Sequence, residues 1–464
     1  TSQGALNDLI DGSSSGVLAL HKEQEPLLNT EQHQSLFIGA APNKRVEYGA
    51  SSDTLETNEK GQWLLGGGGG ELVVNAKLNN EQGELVLGNQ HTTGTVTLVN
   101  TENQIKTITF GGQVTLNYTS LDALGDANID LAYGKRIIGL DGVAQRITAD
   151  SEGVILMDKM EGATSVDLSA CPNVSLGADT NVTFNGSLIT GSGNTYHLGG
   201  GGGTLSIGSV LAGEHNLVVD GQGYSDGAVE LTNKTTLQGS VMVRGYDKDR
   251  GYNKGSVTLK MGVDDALSGT TGTTVVDGGI IDLAGHSLEL KNALIGEGGS
   301  IIDSSSNRSG VLKLSITDNK NWQGVIDTGR VEVETSGKTL TLNGKSYYDS
   351  MYIKSGSNVT LGADETLSAT GTTYIESGGV LNANGKKTAG ATEALSSEEG
   401  SKAKAAAEAA KGEVKAAEAT LDRAIQSNPR SHYAYYNMAL LLIRVNPENK
   451  RAAKRYYETG RAVG

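Results

Sequence analysis

Alternation of period two, broken every few residues by glycine, asparagine, aspartate and serine and sustained from about residue 35 to 388, is the feature that most limits how this chain can fold. Thr95-Val96-Thr97-Leu98, Val114-Thr115-Leu116-Asn117-Tyr118, Val257-Thr258-Leu259-Lys260-Met261, Val331-Glu332-Val333-Glu334 and Leu340-Thr341-Leu342-Asn343 each read as a short strand. Val and Leu point inward in these segments, and Thr, Lys or Glu point outward. Segments such as Asp277-Gly278-Gly279 and Asn343-Gly344 supply the turns. No amphipathic helical pattern interrupts this region, so it is all-β.

Internal repeats choose among all-β architectures. Leu65 followed by Gly66–Gly70, Glu71 and Leu72 recurs as Leu198 followed by Gly199–Gly203, Thr204 and Leu205. Leu176-Gly177-Ala178-Asp179 recurs as Leu361-Gly362-Ala363-Asp364, with a weaker form at Phe37-Ile38-Gly39-Ala40. Gly272-Thr273-Thr274-Val275-Val276-Asp277-Gly278-Gly279 is echoed by Gly371-Thr372-Thr373-Tyr374-Ile375-Glu376-Ser377-Gly378-Gly379. Such quasi-repetition of short strands favours a β-solenoid, in which each coil stacks on the next at about 4.8 Å around a thin apolar column. The composition agrees: 65 of 464 residues are Gly, only 5 are Pro, and aromatic residues are 5%, too few large side chains for a thick core. The expected layout is an N-terminal segment or cap over 1–34, a solenoid over 35–388, a linker over 389–401 and a helical domain over 402–464.

The Leu-Gly-Ala-Asp heads and the Gly-Thr-Thr-Val-x-Asp-Gly-Gly blocks resemble autotransporter-associated β-strand repeats. That resemblance implies a right-handed parallel β-helix of the kind found in passenger regions of large Gram-negative surface proteins, a family of adhesins, structural proteins and some enzymes. It also implies an extracellular or outer-surface location. The sequence holds no counterpart of the translocator barrel that such proteins usually carry at their C-terminus. It opens Thr1-Ser2-Gln3 without Met, which reads as a processed or excised mature segment.

From Ala403 to Gln426 the chain is rich in Ala, Glu and Lys, strong helix formers. Asn428-Pro429 stops that helix, a second runs through Tyr435 to Leu442, and Asn446-Pro447 precedes a third over Ala452 to Ala462. The spacing of Ala417, Ala424, Pro429, Tyr435 and Ala439 resembles a tetratricopeptide repeat, one and a half units long. So short an array implies docking on something else, and Tyr435, Tyr436, Arg451, Arg455 and Tyr456 are the candidate docking residues.

Charge narrows the partners. The net charge is −15, but residues 401–464 hold 12 Lys/Arg against 6 Asp/Glu, leaving 26 against 47 in the first 400. An acidic chain argues against nucleic acid, and no apolar run is long enough for a membrane-spanning helix. Opposite signs suggest that the helical domain docks on the solenoid of the same or a neighbouring chain, building a homo-oligomer or filament. Cys171 stands alone and reads as a small buried hydrophobe.

Motifs for chemistry are sparse. The pentaglycine runs lead into strands without the Lys-Ser/Thr of a phosphate loop, so they read as tight corners. The seven His show no ligand spacing, no Gly-x-Ser-x-Gly elbow is present, and neither a metal nor another cofactor is implied. The densest polar stretch is Arg244-Gly245-Tyr246-Asp247-Lys248-Asp249-Arg250-Gly251-Tyr252-Asn253-Lys254. Tyr347-Tyr348-Asp349 is a second. Tyr beside polar groups suits a protein or glycan surface, so Tyr246, Asp247, Asp249, Arg250, Tyr252, Tyr347 and Tyr348 are the candidate ligand contacts. The leading expectation is a non-enzymatic adhesin or structural scaffold with multivalent contacts. The runner-up is a polysaccharide-degrading β-helical lyase or glycoside hydrolase using Asp247, Asp249 and Arg250.

Overall fold

A computed structural model describes residues 10, 13–22, 24–25, 27–29, 31, 33–139, 141–160, 162–190, 193–223, 227–245, 257–296, 298–386, 414–429, 431–445 and 450–463. The chain is a parallel β-solenoid of about 16 turns followed by three helices. It divides into two compact units, residues 1–271 with 277–281 and residues 272–276 with 282–464.

In the first unit one sheet runs through Ser15–Leu20, Ser35–Ala40, Gln62–Leu65, Glu84–Leu87, Thr107–Phe110 and Asn128–Ile129. A second starts at Gln24–Glu25 and Arg45–Tyr48 and continues through Glu71–Val74, Thr93–Leu98 and Gln113–Tyr118 to Val241–Arg244. A third takes over from Val182–Phe184 through Thr204–Ile207 and Ala228–Leu231 to Thr258–Met261. Ser15–Leu20 pairs in parallel with Ser35–Ala40, so a solenoid strand lies inside the segment read from sequence as a cap. Its Gly16-Val17-Leu18-Ala19-Leu20 run does not alternate cleanly, which hid it.

Period-two alternation builds the core. On the second sheet the register stacks Val46, Leu72, Val96, Leu116, Ile137, Ile155, Leu176, Leu198, Val219 and Val243 in one column, one residue per coil. Every member is buried. Each such side chain adds about 1.5–3 kcal/mol relative to exposure. Both tryptophans, on other sheets, are buried, and each satisfies its indole: Trp63 Nε1 donates to the Leu55 carbonyl and Trp322 Nε1 to the Ala293 carbonyl, both at 2.8 Å.

The pentaglycine runs form corners, and the Leu-Gly-Ala heads are what they pack on. A Cβ on Gly39 would lie 2.0 Å from the Gly67 carbonyl oxygen, and one on Gly177 would lie 1.8 Å from that of Gly200. Only glycine allows the coils to approach so closely. The two corners nevertheless occupy different faces. The first joins the first sheet to the second, and the second joins the second sheet to the third. The 133-residue repetition is therefore local: it copies a corner, not a position around the coil.

In the second unit, Leu288–Lys291, Val311–Ser315, Val325–Glu334, Ser346–Ile353 and Thr372–Ile375 pair in parallel, as do Lys320–Trp322, Thr339–Leu342, Asn358–Leu361 and Val380–Asn382. One coil carries a loop at residues 303–310, and buried Asp303 holds it. Its carboxylate accepts from Gly285 N, Ser305 N, Ser305 Oγ and Gly310 N at 2.6–3.1 Å.

The helices are α1 (Val414–Ser427), α2 (His432–Val445) and α3 (Lys450–Val463). Residues 403–413, read as the start of the first helix, lie outside the described residues. Pro429 ends α1, and Ser431 Oγ caps α2 by accepting from Ala434 N at 3.3 Å. Leu421, Met438 and Leu441 form the small core, with Ile425, Leu442 and Tyr456 against it.

Candidate functional site

Five of the candidate contacts, Tyr246, Asp247, Asp249, Arg250 and Tyr252, lie outside the described residues. What is described is the end of the strand that leads into them. Arg244 Nη1 stands 3.9 Å from Asp220 Oδ2. Asp220 is buried, and its Oδ1 accepts from Tyr133 Oη at 2.9 Å and from Gln222 N at 2.8 Å. Gln222, at a left-handed φ of 53°, accepts from Gly134 N at 2.9 Å. It also donates from Nε2 to the Glu152 carbonyl and to Ser175 Oγ at 3.0 and 3.3 Å. Burial, then the Arg244 charge, lowers the His197 pKa against an opposing pull from Glu152, so the ring is neutral at pH 7. These residues come from different coils of one sheet, which period-two reading does not bring together. Together they pin the 131–135 excursion to the sheet by mutually satisfied bonds.

Tyr347 and Tyr348 separate. Tyr347 is exposed, whereas Tyr348 is buried and hydrogen-bonded to Thr373 Oγ1 at 2.6 Å; burial raises its pKa. Tyr348 is thus a core residue and not a ligand contact, because adjacent residues of a strand face opposite sides. Arg308 organises the surroundings of Tyr347. It donates to Asp327 Oδ1 at 2.7 Å and to the Thr328 and Tyr347 carbonyls at 2.8 and 3.1 Å, and lies 3.8 Å from Asp349.

A column missed by the sequence reading lies on the outward face of the same strands. The register places Glu289, Lys313, Glu332, Tyr352 and Tyr374 one above another. The Tyr352 and Tyr374 rings stack 4.8 Å apart at 13°, with Arg330 over Tyr352 at 4.4 Å. Lys354 bonds Glu376 at 3.0 Å, which holds that carboxyl below its ordinary range. The 22-residue spacing of the two tyrosines, one coil, is the signal that would have found them.

On the helices, Tyr435 and Tyr456 approach within 6.3 Å and Tyr436 and Tyr457 within 5.2 Å, across the contact between α2 and α3. Tyr435, Tyr436 and Tyr456 are half-buried there, whereas Arg451 and Arg455 are exposed, as are Tyr433, Leu440 and Tyr457. A Cβ on Gly460 would sit 2.9 Å from Tyr435 Cβ, which is why the helices approach so closely at that point.

Among the described residues no group of three or more His, Cys, Asp or Glu is placed to hold a metal, and no helix is long and apolar enough to cross a membrane. No family model, no curated protein and no solved structure matches this chain. The class that the fold defines is a parallel β-solenoid with a helical C-terminal part.

Proposed function

We propose that this chain is a cell-surface or secreted β-solenoid, similar to the passenger regions of autotransporters, that acts as an adhesin or structural scaffold through many shallow contacts. The observation that carries this reading is the outward column Glu289–Lys313–Glu332–Tyr352–Tyr374, which presents one charged or aromatic side chain per coil. Weak contacts repeated on a rigid lattice gain strength by avidity. The helical segment, which resembles tetratricopeptide units, serves docking or assembly. Its α3 exposes Arg451, Lys454, Arg455 and Arg461, and the first 400 residues are acidic. Binding of the labelled full chain to bacterial and epithelial cell surfaces tests the scaffold role, and binding no greater than that of an unrelated acidic protein refutes it. Sedimentation tests assembly: deleting 398–464 abolishes self-association if the helices mediate it, and an unchanged profile refutes that part. The alternative reading, a polysaccharide-degrading enzyme, rests on Asp247, Asp249 and Arg250 of the polar loop, which lie outside the described residues. Release of reducing ends or unsaturated sugars from a glycan panel separates it from the scaffold reading.

A further inference from the structure

A groove of about 510 Å³ crosses four successive coils of the first unit, along the corner formed by residues 81–82, 101–106, 122–128 and 146. Its construction is specific. Asn103 is buried and pins three coils together, its Oδ1 accepting from Leu78 N and its Nδ2 donating to the Ala123 carbonyl, both at 2.8 Å. Gly125, at φ 57°, lets the next coil settle on that floor, since a Cβ there would lie 2.6 Å from the Asn103 carbonyl oxygen. Backbone bonds from Lys106 N to the Gly83 carbonyl and from Asn128 N to the Lys106 carbonyl, each 3.0 Å, hold the wall. The groove is therefore formed before any ligand arrives, which lowers the ordering cost of binding.

The lining is polar. Gln82, Gln104 and Asn128 offer amides that both donate and accept, Glu81 and Asp122 offer acceptors, and Lys106, bonded to Gln82, offers a donor. Asp126 pairs with Arg146 at 3.0 Å. Ile105, the one large apolar residue of the lining, is itself buried. A peptide would need apolar anchor pockets, which this lining does not offer. An anionic polymer would meet a slight excess of carboxylates. A chain of hydroxyl groups needs donors and acceptors side by side, repeated along its length. Coils spaced about 4.8 Å apart supply that repetition, and a linear glycan repeats its hydroxyls at a comparable interval.

We propose that this corner is a binding groove for a neutral linear oligosaccharide lying along the solenoid axis. The proposal goes beyond the scaffold reading, which stands or falls on the cell-binding assay. The test is calorimetric titration of the full chain with β-1,4-linked glucose, N-acetylglucosamine and mannose tetramers, alongside a uronate tetramer and tetralysine. At least one neutral tetramer binds, and Gln82→Ala/Lys106→Ala weakens it about tenfold, the loss of one to two hydrogen bonds to ligand. Both side chains are exposed and they partner each other, so the pair is removed without orphaning a buried group and the melting temperature holds. Asp122→Asn, which keeps shape and removes charge, weakens the neutral tetramer less than the double variant does. Absence of binding by every neutral tetramer at millimolar concentration overturns the proposal. Preference for tetralysine or the uronate, or binding that the double variant leaves unchanged, overturns it as well.

Discussion

Replacing Gly177 by alanine tests whether glycine contacts set the spacing between coils. The new methyl would lie 1.8 Å from the Gly200 carbonyl oxygen and 2.7 Å from that of Gly199. A carbon and a carbonyl oxygen settle at about 3.3 Å or more. The coil carrying Gly200 must therefore retreat by more than a quarter of the roughly 4.8 Å spacing. Three backbone bonds cross that contact: Gly199 N to Leu176 O at 2.7 Å, Ala178 N to Gly200 O at 3.2 Å and Gly203 N to Ala178 O at 2.9 Å. Each costs about 1–3 kcal/mol when a buried partner is orphaned, so breaking two or three costs about 3–6 kcal/mol. The stiffer unfolded chain of the alanine variant returns roughly 0.5–1 kcal/mol. A net loss of about 2–5 kcal/mol follows. Gly202 is the control, because it lies in the adjacent glycine run, outside the left-handed region, with nothing within 4 Å of its Cβ position. Gly202→Ala is expected to change stability by no more than about 0.5 kcal/mol. Urea unfolding followed by circular dichroism reads the global effect, and hydrogen exchange over residues 175–206 reads the local one. An unchanged midpoint and unchanged protection in Gly177→Ala would refute the steric argument.

Three further outcomes follow from buried groups. Burial, helped by the Asp167 charge, pushes the Cys171 thiol up to about 11, so a disulfide reagent at pH 8 leaves the folded protein unlabelled and reacts in urea; prompt labelling without urea contradicts the packing. Asp303 has its pKa lowered, because hydrogen bonds from Ser305, Gly310 and Gly285 outweigh the burial that would raise it. A depressed carboxyl adds stability above its unfolded pKa near 4 and loses it as pH falls through the lower folded value. Asp303→Asn is thus about 2–3 kcal/mol less stable than the parent at pH 7, and urea midpoints measured at pH 3 show that gap closing; a gap that stays constant contradicts the assignment. Trp322→Phe orphans the Ala293 carbonyl and costs about 1–3 kcal/mol by thermal unfolding, and an unchanged melting temperature removes that bond from the account.

Much of the architecture was legible because alternation and burial report the same fact. Val114, Leu116 and Tyr118 are buried and Asn117 is half-buried, as their order in the sequence requires, whereas Thr115, read as outward, is buried as well. Pro429 and residues 414–427 of the Ala-rich segment before it marked the first described helix. The sites were less legible. Reading neighbours along the chain made Tyr347 and Tyr348 a pair, whereas the strand sends one out and the other in. Tyr352 and Tyr374 are a pair only through the register between coils, and the Asn103 floor exists only because three coils meet there. In a solenoid the informative neighbours are one coil away, about 20–30 residues on, and that interval varies with every loop.

The same displacement explains the repeats. Phe37-Ile38-Gly39-Ala40 and Gly66–Gly70 look like two unrelated motifs in the sequence, as do Leu176-Gly177-Ala178-Asp179 and Gly199–Gly203, yet each pair is the two sides of one contact. Leu361-Gly362-Ala363-Asp364 has no pentaglycine run one coil later, and a Cβ on Gly362 would meet Asn343 Oδ1 of the preceding coil instead. The head is thus a half-contact that can take different partners. Where it meets glycines, it locks two coils at one corner. In the first unit the coil carrying Gly66–Gly70 runs on into the polar corner loop 79–83, and loop 100–106 belongs to the next coil. With spacing fixed by the glycine corner, the apolar column and the buried Asn103, the exposed residues of those loops are free to vary in sequence without loosening the stack. Corner loops are therefore where binding specificity can be written on this scaffold, and the groove is lined by such loops with no residue of the glycine corner among them.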